Sequence, residues 1–367
     1  MHISKIFLKN YRNFDELNLN FEVAINIFFG KNAQGKTNIL ESIYFATIGK
    51  SRAAKDFELV SVGENFLQIR LDFFKLNVSH TLAIELFPEK KFRRVLLDGN
   101  QIKFREIVGK LNSVMFSPED LFLFKNSPSV RRKFLDSEIS QGSQTYFQNL
   151  LNYNRIVEQR NNLLKKIRDG LTSEKNLDLW TEQLANFAAK IVLQRLFAVE
   201  KLNFLADDAQ KKISSQAEKL VIQYDLHGLK KVSDDEKILT DFYRENLLAK
   251  KFLEIKRGAT LIGPHLDDLK FFLNDRELKI FGSQGQLRTA ALALKLAELK
   301  FLREETGEYP ILLLDDVMSE LDAERREQLL KFLAEEKIQT LITATEKKYF
   351  PTNFAGNFFE VSGGKIL

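Results

Sequence analysis

The chain has 367 residues, with 55 Lys and Arg against 50 Asp and Glu for a formal net charge of +5, and 44% of its residues are hydrophobic. That balance, with only 6 Pro and 17 Gly, describes a folded chain long enough for two domains or one enlarged one, and it excludes collagen-like and largely disordered classes. The absence of Cys excludes thiol catalysis, iron–sulfur ligation and any Cys-based zinc site, a zinc hook included, and fits a reducing cytoplasm.

Alternating apolar positions (Ile3, Ile6, Leu8, then Leu17, Leu19, Phe21) predict two strands joined through Tyr11-Arg-Asn-Phe14. The apolar run over residues 24–29 predicts a buried strand leading into Gly30. Strand patterns over 66–74, 79–87, 92–97 and 101–104, the last two flanking Asp98-Gly99-Asn100, predict an antiparallel layer ending in a hairpin. From about residue 119 the period becomes helical (Leu150, Leu151, Val157, Leu163, Leu164, Ile167, then Leu184, Phe187, Ile191). Strand signals return over 269–273, followed by a helix from Gly285, a strand over 311–314, a helix over 324–336 and a strand over 340–343. The pattern predicts an α/β head assembled from residues 1–118 and 258–367, with a helical lobe over 119–257 inserted between its halves. No apolar stretch of signal-peptide or membrane-span length is present, so no membrane contact and a cytoplasmic setting are expected.

Gly30-Lys31-Asn32-Ala33-Gln34-Gly35-Lys36-Thr37 matches G-x-x-x-x-G-K-[ST] and falls between a predicted strand and a helical pattern over 38–48, the context that a phosphate-binding loop requires. Glycines let successive backbone N–H groups face phosphate oxygens, Lys36 neutralises charge on the outer phosphates, and the Thr37 hydroxyl can ligate Mg²⁺. Gly30 through Thr37, with Asn38, are therefore the expected nucleotide-binding residues, and ATP with Mg²⁺ the expected ligands. Such a site needs a further carboxylate at the end of a neighbouring buried strand. Ile311-Leu-Leu-Leu-Asp315-Asp316 supplies it: Asp315 is expected on the metal, and Asp316 is expected to position or deprotonate the attacking water.

Ser283-Gln284-Gly285-Gln286 opens the next helix. It is similar to the S-G-G-Q element with which ABC-type ATPases reach across a dimer interface to the γ-phosphate held by the other subunit. Ser319-Glu-Leu-Asp322 follows the aspartates, in the place of the loop that couples two such sites.

The chain resembles the RecF family of bacterial recombinational-repair ATPases, related to chromosome-maintenance (SMC-type) heads. The resemblance runs from Lys5 to about Thr345. It rests on Asn10-Tyr-Arg-Asn13, Phe116-Ser-Pro118-Glu-Asp120-Leu, Pro128-Ser-Val-Arg131-Arg132, Gly263-Pro-His265-Leu-Asp267-Asp268 and Asp315-Asp-Val-Met-Ser-Glu-Leu-Asp322. It implies an ABC-type P-loop ATPase with weak activity that dimerises on ATP, binds duplex and gapped DNA, and helps the RecO and RecR mediators load RecA. It also implies that Ser283, Gly285 and Gln286 contact nucleotide in trans, and that Arg12 lies near the phosphates. ABC transporters carry Glu where this chain has Asp316, whose shorter reach predicts slow turnover, and in place of their switch His the chain offers Thr343 or Thr345. A transporter-energising subunit and a nucleotide-gated scaffold without hydrolysis are the competing readings.

His265, Asp267 and Asp268 read as a hydrogen-bonded turn rather than a metal site. The stretches 89–105 and 151–170 carry net charges of 6 − 2 = +4 and 5 − 2 = +3, either of which can track a DNA backbone.

Overall fold

The structure, a computed structural model, describes every residue except 23, 52–54, 215, 229–232 and 352–353. The chain divides into two compact units. One comprises Met1–Leu121, Lys212–Ser214 and Arg288–Leu367, the other Phe122–Lys211 and Ser215–Leu287.

The first unit begins with β1 (His2–Tyr11), β2 (Phe14–Asn20), β3 (Ile25–Phe29), α1 (Lys36–Ile48), β4 (Leu67–Lys75), β5 (Val78–Phe87), β6 (Phe92–Leu97), β7 (Asn100–Ile102) and β8 (Ser113–Phe116). The second holds α2 (Phe122–Lys125), α3 (Pro128–Gly142), α4 (Gln144–Arg168), most of α5 (Leu177–Ile213), β9 (Leu220–Asp225), α6 (Glu236–Ala249), α7 (Lys251–Arg257), β10 (Asp268–Leu273), β11 (Arg276–Glu277), α8 (Leu278–Phe281) and the first turn of α9 (Gln284–Thr306). The first unit then closes with β12 (Ile311–Asp315), α10 (Ala323–Glu335), β13 (Thr340–Ala344), β14 (Asn357–Ser362) and β15 (Lys365–Ile366).

Two sheets build the first unit. An antiparallel sheet runs β2-β1-β4-β5-β6-β7 and a second runs β15-β14-β3-β13-β12-β8, in which every pairing but β14 with β15 is parallel. The central strands β12 and β13 of this sheet are covered on both faces, and residues 311–314 and 340–344 are buried throughout. The antiparallel strands alternate instead, with Ile6, Leu8, Ile69, Leu71 and Ile84 turned into a core shared with Ile39, Leu40 and Ile43 of α1. Strand β13 lies between β3 and β12, with Thr343 opposite Phe28 on one side and Asp315 on the other.

The lobe was expected to end at residue 257, yet the second unit continues to Leu287. The cause is β9, hidden within a helical stretch of sequence: it pairs antiparallel with β10, Ile222 opposite Phe271, and draws residues 258–287 into the lobe.

Buried charge organises this unit. Fully buried Arg160 of α4 donates to Glu254 of α7 at 2.6 Å and to Thr260 at 2.9 Å. Arg195 of α5 donates to Asp136 and to the Pro264 carbonyl, and Arg131 of α3 donates through two nitrogens to Asp268. The loop over 263–268 is indeed a hydrogen-bonded turn: Asp267 accepts from the Tyr224 hydroxyl at 2.5 Å and the His227 N–H at 2.9 Å, and Tyr153 bonds His265 Nδ1 at 2.5 Å. Burial pushes the His265 pKa down to about 4, so the ring is neutral at physiological pH and its Nδ1 is free to accept from Tyr153 when Nε2 carries the proton. Among the described residues no group of three or more His, Asp and Glu is placed to hold a metal. No helix among them is long and apolar enough to cross a membrane.

Removing one partner of a buried ion pair strands the other charge, at a cost of about 3–5 kcal/mol. Glu254→Ala, which strands Arg160 while both side chains are 1% exposed or less, is expected to lower unfolding stability by that amount in urea denaturation. Arg244→Ala, which breaks exposed pairs with Glu182 and Asp241, is expected to change it by less than about 1 kcal/mol.

Candidate functional site: a phosphate loop and its carboxylates

The loop between β3 and α1 needs left-handed backbone at Gly30, Ala33 and Gly35, with φ of 147°, 62° and 108°. It is also too crowded for side chains at its ends. A Cβ on Gly30 would lie 2.4 Å from the Val361 carbonyl oxygen, and one on Gly35 2.5 Å from the Asn13 amide. The Lys36 ammonium donates to the carbonyls of Gly30 and Lys31, both at 2.7 Å, and so holds the loop closed around itself. Burial lowers the Lys36 pKa, against the pull of Asp316 and Asp315.

Two distant segments brace the loop. Asn13, between β1 and β2, donates to the Gln34 carbonyl at 2.9 Å and accepts from Asn38 at 2.7 Å. The Gly363-Gly364 turn between β14 and β15 donates from both N–H groups to Gln34, at 2.7 Å to the side chain and 3.2 Å to the carbonyl. Neither brace is legible in the sequence, where Asn13 stands only within the family motif Asn10-Tyr-Arg-Asn13.

The carboxylates lie at the carboxyl end of β12, where ligands bind in open α/β sheets. Asp315 Oδ1 accepts from the Thr37 hydroxyl and the Thr343 hydroxyl, each at 2.8 Å. Asp316 adopts a left-handed φ of 52°, and its N–H donates to the Thr343 oxygen at 2.8 Å. Its Oδ1 is buried without a hydrogen-bond partner among the described residues. Burial raises the Asp316 pKa, helped by the neighbouring Asp315 and opposed by Lys36. A cleft of about 300 Å³ opens here, lined by Asn32, Ala33, Gly35, Lys36, Thr37, Asn38, Asp316 and Thr343. Asp315 reaches it through Thr37, and Gly30, Lys31 and Gln34 of the loop are outside the lining.

Arg12 is not part of that lining. Its guanidinium donates to Glu41 of α1 at 3.1 Å, and Glu41 also accepts from Ser51 at 2.5 Å. The signature residues belong to the second unit. There the Ser283 hydroxyl accepts from the Gln286 N–H and Gln286 Oε1 accepts from the Ser283 N–H, both at 3.2 Å, a reciprocal cap that starts α9. Ser283 and Gly285 are exposed, a Cβ on Gly285 would meet nothing within 4 Å, and the Gln286 amide is held by Glu218 at 3.3 Å. In the loop after the aspartates, Ser319 donates to the Asp316 carbonyl at 2.8 Å, Glu320 pairs with Arg288, and Asp322 caps α10.

Part of each basic stretch is already neutralised. Arg93 pairs with Asp56 and stacks over Phe57 and Phe104, Arg94 pairs with Glu85, and Arg160 is buried against Glu254.

A phosphate loop entering α1, paired aspartates ending the adjoining strand and an exposed serine-capped signature helix define a P-loop ATPase head of the ABC type in its SMC-like form. The family model described as "RecF/RecN/SMC N terminal domain" matches residues 2–361, and the chain belongs to the RecF family. It is 43% identical to the "DNA replication and repair protein RecF" of Halalkalibacterium halodurans, over 94% of this chain and 93% of that one. It is 44% identical to the RecF of Bacillus cereus, over 94% and 92%. Among solved structures it superimposes on "the recombination mediator protein RecF-ATP in RecFOR pathway" with a TM-score of 0.92 at 37% identity, covering 100% of this chain and 98% of that one. An SMC head domain from Pyrococcus furiosus, at 16% identity and a TM-score of 0.58 over 100% and 96% of the two chains, shares the fold.

Two outcomes are expected from this geometry. A Cβ at Gly364, where φ is 74°, would lie 2.0 Å from the Asn13 carbonyl oxygen. Gly364→Ala should therefore loosen the brace on Gln34 and weaken ATP binding about tenfold or more by calorimetry, a 1.4 kcal/mol effect. A carboxyl whose folded pKa is raised favours the fold below its unfolded pKa, and that contribution disappears as pH rises through the folded value. Asp316 at neutral pH is accordingly a held charge that opposes folding. Asp316→Asn should raise the melting temperature near neutral pH, with the gain shrinking as pH falls into the ordinary carboxylate range, measured by differential scanning fluorimetry.

Proposed function

We propose that this protein is an ATP-dependent DNA-binding ATPase of recombinational repair and replication restart, closing as a dimer on duplex or gapped DNA and helping RecO and RecR load RecA. The observation that carries the reading is the cleft itself. Lys36 and Thr37 meet the Asp315–Asp316 pair in one site, inside a family whose relatives are named for DNA replication and repair and for the RecFOR pathway.

In this reading the loop N–H groups and Lys36 hold the triphosphate tail. The Thr37 hydroxyl and Asp315 would be the oxygen donors for Mg²⁺, and the fit rests on these two oxygens lying 2.8 Å apart. Bound there, Mg²⁺ supplies neutralisation of phosphate charge. Asp316, with its raised pKa and unpartnered oxygen, takes the proton of the attacking water: a base tuned toward the working pH is the more effective one. The exposed Ser283 and Gly285 serve a second copy, reaching the γ-phosphate held by its Lys36, and the loop from Ser319 to Asp322 couples the two sites. ATP thereby bridges the copies and hydrolysis releases them. The short Asp316 side chain keeps turnover slow.

Sedimentation velocity with and without ATP, paired with phosphate release, tests this reading. The wild type is expected to pass from monomer to dimer on ATP. Lys36→Ala should remain monomeric, and Asp316→Asn should hold the dimer while phosphate release falls about 100-fold or more. Binding to gapped DNA should strengthen with ATP and weaken steeply with salt. A dimer that forms equally without nucleotide contradicts the bridging role, and a wild type that binds ATP without releasing phosphate leaves a nucleotide-gated scaffold.

A further inference from the structure

The sequence offers two threonines, Thr343 and Thr345, where transporter ATPases carry a switch His, and the structure separates them. Thr343 is the fourth residue of β13 and is 1% exposed, with its hydroxyl at the floor of the cleft. Thr345 lies beyond the strand, half-buried, and makes no side-chain hydrogen bond among the described residues.

We propose that Thr343 is a positioning residue of the hydrolysis site, fixing the two Walker aspartates relative to each other through one hydroxyl. The proposal rests on the ATPase reading above for its catalytic consequence.

Three observations carry it. First, this hydroxyl bridges the pair, donating to one aspartate and accepting from the other. Its proton goes to Asp315 Oδ1 and its oxygen accepts the Asp316 N–H, each at 2.8 Å. Second, Asp316 is left-handed at φ 52°, a conformation that costs a non-glycine residue about 1–2 kcal/mol and persists only where the surroundings over-determine it. The bond to Thr343 supplies that constraint: where the chain leaves β12, it gives the Asp316 N–H an acceptor. The left-handed turn in turn sets where the Asp316 carboxyl points. Third, Thr37 and Thr343 share a single oxygen of Asp315. Thr343 therefore keeps Asp315 oriented whichever partner Thr37 takes.

The strand order explains why this residue is suited to the task. β13 separates β3, which leads into the phosphate loop, from β12, which ends in the aspartates. A hydroxyl on β13 at this register is adjacent to Asp315, which in turn meets Thr37 of α1. Valine at 343 preserves the branch and the volume while removing the hydroxyl; serine preserves the hydroxyl and removes the methyl.

The decisive comparison is Thr343→Val against Thr343→Ser, read in two ways. In the nucleotide-free protein, hydrogen exchange at the Asp316 amide should accelerate at least about tenfold in Thr343→Val, a loss of about 1.4 kcal/mol of protection, and stay near wild type in Thr343→Ser. In steady-state hydrolysis, Thr343→Val should lower kcat about 10- to 100-fold, the scale of a small misplacement of a reacting group. Affinity for a non-hydrolysable ATP analogue should change by less than about threefold, and Thr343→Ser should recover most of kcat. Unchanged Asp316 exchange in Thr343→Val overturns the proposal whatever the activity. Loss of analogue binding and kcat together, unrescued by serine, also overturns it, since that marks a merely structural residue. A wild type without hydrolysis refutes the ATPase reading instead, and the exchange result still decides whether Thr343 holds the pair.

Discussion

The site depends on one carboxylate. Asp315 Oδ1 is where the end of β12 is tied both to Thr37 at the start of α1 and to Thr343 near the end of β13. Parallel strands in register bring their carboxyl ends to one edge, but the sheet alone places backbones, not side chains. The shared oxygen turns neighbouring strand ends into a cleft with a defined floor. The unpartnered Oδ1 and raised pKa of Asp316 show the cost of that arrangement: a charge is held close to a second charge in a partly dry place. Functional sites commonly carry such local penalties, which the remaining packing offsets.

The phosphate loop was legible in sequence because its constraints are local. Two glycines, a lysine and a threonine at fixed spacing, after an apolar strand and before a helix, specify backbone geometry almost unaided, and Gly30 and Gly35 carry the expected positive φ. The apolar runs of β12 and β13 were equally readable. What sequence could not reveal are contacts closed over long separations. Asn13 reads as one polar residue in a turn, and Gly363-Gly364 as an ordinary hairpin; only the fold brings both to Gln34, the latter across 329 positions. The four-residue β8 is buried throughout and too short to show a period, and β9 sits where helical periodicity dominates. That hidden strand is why the lobe runs some 30 residues past its expected end. Arg12, which family resemblance alone sets near the phosphates, donates to Glu41 of α1 in this structure.

The second unit is stabilised differently. Arg160, Arg195 and Arg131 each meet a carboxylate inside the lobe, and the loop over 263–268 is gripped by side chains from α3, α4, α5 and β9. Buried ion pairs add little stability relative to an apolar core, yet each is severe to break. The effect is to fix how these elements register. Leu266 stays 36% exposed on a loop otherwise held by these hydrogen bonds. The same unit presents the capped, exposed serine that opens α9, while the cleft is lined wholly by residues of the first unit. Under the proposed mechanism the two meet on different copies of the chain.

Mixing two defective variants tests that claim most directly. Lys36→Ala retains an intact signature helix and Ser283→Arg an intact phosphate loop, so a mixed pair contains one site with both parts whole. The account predicts that each variant alone releases phosphate at background rates and that the mixture regains activity on ATP. A mixture no more active than its components, with both proteins folded, would contradict it, as would full activity of Ser283→Arg alone.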